Sequence, residues 1–149
     1  MEIQKDFDTW NIFKKKTHSK PEVPGVHERE IWWVSFGINI GVEIDGKHGN
    51  FERPALVLKR FNKDMVWVLP TTLQSKNDSF HQQFNFEGKN YFVILTQIRT
   101  VSSKRFLRKV GMIPMSDFEI ITGKVSGFIR PAKTNENPPL SGLSRRPKP

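Results

Sequence analysis

The chain has 149 residues, one domain's worth of polypeptide and long enough to bury a core. It contains no cysteine, which excludes disulfides, thiolate metal sites and a cysteine nucleophile together. The net charge of +9 suits a phosphate-bearing partner, although the basic excess is concentrated in the two ends of the sequence. Mean hydropathy is −0.51, so part of the chain is expected to be tail rather than core. No run of ~18 apolar residues is present to span a membrane. The opening MEIQKDFDTW is too charged for a secretory signal, and a cytoplasmic protein is expected.

In chain order, Phe7, Trp10 and Phe13 recur at spacings of three, which predicts a short helix over Asp6–Lys16 capped by Asp6 or Asp8. Lys14–Gly25 contains two prolines and a glycine and reads as linker, with the helix packed on the body as an appendage. Strand-like composition follows at Glu30–Phe36, Arg53–Phe61, Met65–Thr72, Phe80–Phe86 and Asn90–Thr96. Asn62-Lys63-Asp64 and Glu87-Gly88-Lys89 supply hairpin turns. Five short strands so spaced predict a compact antiparallel barrel or strongly twisted sheet. Gly37–Glu52 is a loop of about sixteen residues with four glycines, a length that marks function or disorder. Ser102–Arg108 is expected to form a helical turn. Ser116 and Glu119 form a capping box for a last helix with Phe118, Ile121 and Val125 inward, its length limited by Gly123 and Gly127. The proline-rich stretch from Arg130 onward reads as disordered. The expected divisions are therefore 1–27, helix and linker; 28–128, the folded domain; and 129–149, a basic tail.

The chemistry-bearing residues are few. His18, His27, His48 and His81 are scattered without metal-ligand spacing, and structural or surface roles are expected for all four. Glu43 and Asp45 share the long loop without partner acids at strand ends, so a two-metal site has little support. Arg53 precedes Pro54, which pushes it into an extended conformation at a strand mouth. An arginine fixed there suits a phosphate, but spacing alone favours an ion pair with Glu43 or Glu52. Pro70-Thr71-Thr72 ends an apolar run, placing a threonine hydroxyl either at a cleft or in a strand-end cap. Arg99, Lys104, Arg105, Arg108 and Lys109 follow one another with no acid between them, as a solvated face or the border of a single-strand groove. Trp33 and Trp67 read as core rather than as stacking platforms.

The order of these segments carries more than any one of them. Glu30-Ile31-Trp32-Trp33-Val34, Gly41-x-Glu43, Arg53-Pro54 opening an apolar strand, Pro70-Thr71-Thr72, and Gln97-Ile98-Arg99-Thr100 followed by Lys104-Arg105 together resemble the MazF/PemK toxin family. The resemblance spans roughly residues 28–126. It implies a mainly β, SH3-like antiparallel barrel of the CcdB/MazF type with short helices, to which the N-terminal and C-terminal helices are added. It further implies a homodimer held inactive by a cognate antitoxin, cleaving single-stranded RNA, mRNA included, at short sequences with no cofactor and no metal. On that resemblance Arg53 and Thr72 are the catalytic pair, with Thr71 the less favoured register for the threonine, and Glu43 is a general base or an orienter of Arg53. Thr71, Lys76, Arg99, Lys104 and Arg105 then contact RNA.

Two departures narrow the site. Where some relatives carry a histidine before the first-loop glutamate, this chain has Val42, and where some carry an acid before Gln-x-Arg it has Thr96. The first loop is also longer than is usual for the family. The rival readings are a CcdB-like inhibitor that contacts DNA gyrase, an inactive RNA- or antitoxin-binding SH3-like module, and an unrelated basic RNA-binding protein.

Overall fold

The computed structural model describes residues 4–131. Helix α1, Phe7–His18, begins where the Asp6 carboxylate accepts the Thr9 N–H at 3.0 Å, and its last turn carries Lys15, Lys16 and His18 against the exposed carbonyls. Of the expected stripe, Trp10 is buried, Phe13 half-buried and Phe7 exposed. Trp10 packs against Phe13 and Phe51 and fits under Gly37, where a Cβ would lie 2.2 Å from its ring.

The five expected strands form within two residues of their predicted ends: β1 Glu30–Ser35, β2 Glu52–Arg60, β3 Met65–Thr72, β4 His81–Phe86 and β5 Lys89–Ile94. Glu87 and Gly88 both adopt positive φ, the two-residue turn that matches strand twist between β4 and β5. Two further strands are present, β6 Arg99–Ser102 and β7 Phe106–Met112, joined by a 3-10 turn at Ser103–Arg105. The helical turn expected over Ser102–Arg108 is therefore only its first half. Sequence reasoning missed β7 because Arg108 and Lys109 sit in its middle, as befits a charged edge strand.

Every pairing is antiparallel, in the order β4-β5-β3-β2-β1-β7. The first half of β3 also pairs β6, from Met65↔Ser102 to Val68↔Arg99, whereas its end pairs β5 at Thr71↔Val93 and Thr72↔Phe92. Shared between two partners, β3 bends the sheet into a barrel-like shape that stays open between β4 and β7. One face buries Val34, Phe36, Val57, Val68 and Phe106; the other buries Ile31, Leu56, Leu69, Val93 and Leu95 beneath the last helix. Each such side chain contributes about 1.5–3 kcal/mol by leaving water.

That helix, α2, runs Met115–Ile129 and buries Ile121 and Val125, with Phe118 against the same cluster. Two expectations are corrected here. Pro114, not Ser116, occupies the cap position, and no side chain caps it. Gly123 and Gly127 lie within the helix rather than ending it, because a packed apolar face outweighs a glycine penalty of about 1 kcal/mol. Trp33 and Trp67 are not in the core: Trp33 is half-buried, and Trp67 is exposed against Phe61. Glu30, by contrast, is deeply buried, accepting the His27 N–H at 2.6 Å and the Trp32 indole N–H at 3.1 Å and pairing with Lys109 of β7. Among the described residues no helix is long and apolar enough to cross a membrane. The expected tail falls almost wholly outside the described residues.

Candidate active site

β2 opens with Glu52-Arg53-Pro54, in register with Ser35, Val34 and Trp33 of β1. This pairing sets Arg53 at the strand mouth, 9% exposed, with its guanidinium against two backbone carbonyls. Nε donates to Asp45 O at 2.9 Å and Nη1 to Thr71 O at 3.2 Å. Carbonyls orient the group without neutralising it, and among the described residues Arg53 has no ion pair within 4.0 Å. Neither Glu43 nor Glu52 is its partner: Glu52 takes Arg108 as a fork, at 2.8 and 3.0 Å. Burial pulls the Arg53 pKa down, and the nearby Asp45 charge pulls it back up. An arginine stays charged through such shifts.

Beside Arg53 lies a cleft of about 260 Å³ lined by Trp33, Lys47, His48, Pro54, Thr72 and Leu73, among others. Thr72 is half-buried at the end of β3, and its hydroxyl oxygen accepts the Gln74 N–H at 3.1 Å, leaving its own proton to donate. Trp33 forms an apolar wall, covered by Arg108 at 4.6 Å from the ring centroid. Arg53 and Thr72 therefore meet. Of the other expected site residues Thr71 also lines this cleft, whereas Glu43, Lys76, Arg99, Lys104 and Arg105 do not.

Thr71 is fully buried and donates its hydroxyl to Pro54 O at 2.8 Å, bracing the strand pair at the cleft. Glu43 is not paired with Arg53. It is exposed, caps its own turn by accepting the Ile40 N–H at 2.9 Å, and borders a separate hollow of about 520 Å³ with Gln97 and Arg99. The acid near Arg53 is Asp45. Arg99 donates to Phe36 O at 3.0 Å across the Phe36 ring, and burial lowers its pKa against the opposing pull of Glu43. Arg105 donates to Ser35 O at 3.0 Å beside the Trp10 ring; burial, helped by the charge of Arg99, brings its pKa down to about 10. Lys104 donates to His18 O at 2.7 Å. Arg105 and Lys104 thus face α1, away from the cleft. Lys76 is half-buried on the β3–β4 connection.

His48, expected in a structural or surface role, also lines the cleft. The loop's second half folds back through reciprocal Lys47–Glu52 backbone bonds of 2.8 and 3.0 Å, carrying His48 to the cleft with φ at 64°. Its signal was faint: two basic residues between Gly46 and Gly49, just ahead of Arg53. Among the described residues no group of three or more His, Asp or Glu gathers as a metal site.

Residues 27–129 match the family of PemK-like, MazF-like toxins of type II toxin–antitoxin systems, and the chain belongs to that family. Among solved structures, MazF from Deinococcus radiodurans is 23% identical with a TM-score of 0.60, over 72% of this chain and 97% of that one. Toxin MazF-mt6 of Mycobacterium tuberculosis is 16% identical with a TM-score of 0.53, over 68% and 96%. An endoribonuclease from a mycobacterial species, solved with its cognate antitoxin, is 10% identical with a TM-score of 0.51, over 72% and 100%. At these identities the likeness is one of fold. No curated protein matches the sequence.

Proposed function

We propose that this toxin is a metal-independent endoribonuclease that cuts single-stranded RNA by attack of a ribose 2′-hydroxyl on the adjacent phosphate. The observation that carries the reading is Arg53, held by carbonyls rather than carboxylates beside the Thr72 hydroxyl in one cleft. In this reaction the nucleophile belongs to the substrate, so the protein positions it and stabilises charge. A new bond forms from O2′ to phosphorus and the bond to O5′ breaks, leaving a cyclic phosphate and a 5′-hydroxyl end. Arg53 offsets the extra negative charge of the crowded phosphorus, and Thr72 donates to a phosphoryl oxygen. His48, the imidazole at the cleft, takes the 2′ proton in place of Glu43, and solvent at the open mouth protonates O5′. Trp33 offers a stacking face to a neighbouring base, and Lys47 a charge to the backbone.

The same reading includes cytoplasmic location, homodimerisation and control by a cognate antitoxin. A MazE–MazF complex is known for the Deinococcus relative, and α2 leaves Met115, Ile120, Phe128 and Ile129 exposed for a partner. Residues 28–128 carry the activity, 1–27 form an extension, and 129–149 a basic tail.

The test is cleavage of a long labelled single-stranded RNA in excess EDTA by wild type, Arg53→Ala, Thr72→Ala and His48→Ala. Expected are discrete bands with cyclic-phosphate and 5′-hydroxyl ends, and losses of about 10²–10³-fold for Arg53→Ala and about 10²-fold for His48→Ala. A folded wild type that does not cut returns the reading to a gyrase inhibitor or a non-catalytic module.

A further inference from the structure

Asp45 is the structural hinge of the site, and it is held from outside the family-matched region. Its carbonyl accepts Arg53 Nε at 2.9 Å. Its carboxylate points elsewhere: Oδ1 accepts the Asn39 N–H at 2.6 Å, and Oδ2 pairs with Lys5 Nζ at 3.1 Å. Lys5 lies two residues ahead of α1, beyond the matched residues 27–129. Its ammonium also donates to Asn39 O at 2.7 Å and Gly41 O at 3.2 Å, so three acceptors of one loop converge on it. Trp10 of α1 seats against Gly37 at the start of the same loop, too closely for any side chain there. On the far side Gln97 accepts the Ile44 N–H at 2.7 Å and donates to Val42 O at 2.9 Å. The long loop is thus clamped on both flanks, and its contact with Arg53 is a carbonyl.

That choice of atom matters. Asp45 is close enough to raise the pKa of Arg53. If its carboxylate were released it would compete with a phosphate for the guanidinium, and a direct carboxylate–arginine fork is the stronger contact. We propose that Lys5 is a positioning residue for Arg53: it restrains the Asp45 carboxylate so that the Asp45 carbonyl orients the guanidinium and leaves it unneutralised for phosphate. The proposal rests on the reading of Arg53 as the phosphate-binding group.

The experiment compares wild type, Lys5→Met, Lys5→Arg and the double variant Lys5→Met/Asp45→Asn on one defined single-stranded RNA. Expected is a fall of about tenfold in kcat/KM for Lys5→Met, with the melting temperature little changed. Lys5→Arg keeps most of the activity, because a guanidinium restores the ion pair. The double variant recovers, since the introduced asparagine retains both the carbonyl and the Oδ1 acceptor but has no charge to set against Arg53. Simple loss of packing would make the double variant worse, and that result, like a fully active Lys5→Met, overturns the proposal. The Arg53 Nε–H resonance gives a readout independent of cleavage. It should shift in Lys5→Met and return in the double variant, and an unmoved signal overturns the proposal even if the wild type proves not to cut RNA.

Discussion

Replacing Arg53 by lysine keeps the charge and removes the geometry. Arg53 serves Asp45 O and Thr71 O with two different nitrogens. A lysine carries its three donors on a single nitrogen at the end of a flexible stem and cannot occupy the Nε and Nη1 positions together, so the bond to one of the two carbonyls is expected to be lost, and Thr71 is fully buried. Losing a charged hydrogen bond at such an acceptor costs about 2 kcal/mol. In a domain of this size that lowers the melting temperature by roughly 6 °C. The cleavage rate should fall further, by about 10²-fold, because the ammonium no longer lies in the plane that a phosphate requires. Thermal melts followed by circular dichroism, alongside single-turnover cleavage of a defined RNA, measure the two effects separately. A lysine variant that melts with wild type would show that the two carbonyls do not hold the guanidinium. One that cuts at the wild-type rate would remove Arg53 from the chemistry.

Glu30 governs a second outcome. Burial pushes its pKa up, but Lys109, the His27 N–H and Trp32 outweigh that and leave the carboxyl below its ordinary 4.5. A carboxyl lowered by folding stabilises above its unfolded pKa, and that stability is lost as pH falls through the folded value. Urea melts should therefore weaken below about pH 4.5 in wild type, whereas Glu30→Gln, less stable near neutrality, declines less steeply. Gly46→Ala should loosen the long loop, since its Cβ would meet Phe51 O at 1.7 Å; Gly49→Ala, with nothing within 4 Å, is the control. A loss of about 1–3 kcal/mol in chemical denaturation is expected for the first, and no measurable change for the second.

The strands with alternating or continuous apolar runs, β1 to β5, were legible because burial dictates their residues. β6 and β7 were not. β6 has four residues, and β7 carries the charged Arg108 and Lys109 at its centre, so neither has an apolar signature. Arg53 and Thr72 were legible through the Arg-Pro and Pro-Thr-Thr segments, which fix where two adjacent strands begin and end. Glu43 and Asp45 were not separable in the sequence because proximity in a loop says nothing about its path: a turn closed by the Glu43 carboxylate leaves Glu43 exposed and Asp45 half-buried. His48 reaches the cleft through the backbone bridge of its neighbour Lys47 to Glu52, which no spacing rule announces. Thr71 and Thr72 differ only in strand alternation, which buries one hydroxyl and frees the next.

The docking of α1 also constrains when the protein is born as a finished molecule. Lys104 Nζ reaches His18 O across 86 residues of sequence, and Lys20 Nζ reaches Lys104 O across 84. A 12-residue helix is marginal by itself in water, so α1 gains its permanence from that late partner. On the ribosome, the segment carrying Lys5 and Trp10 emerges long before Ser103–Arg105 exists to receive it, and long-range closure of this kind comes last in folding. α1 is thus made well before its partner and settles late, once Ser103–Arg105 has been synthesised.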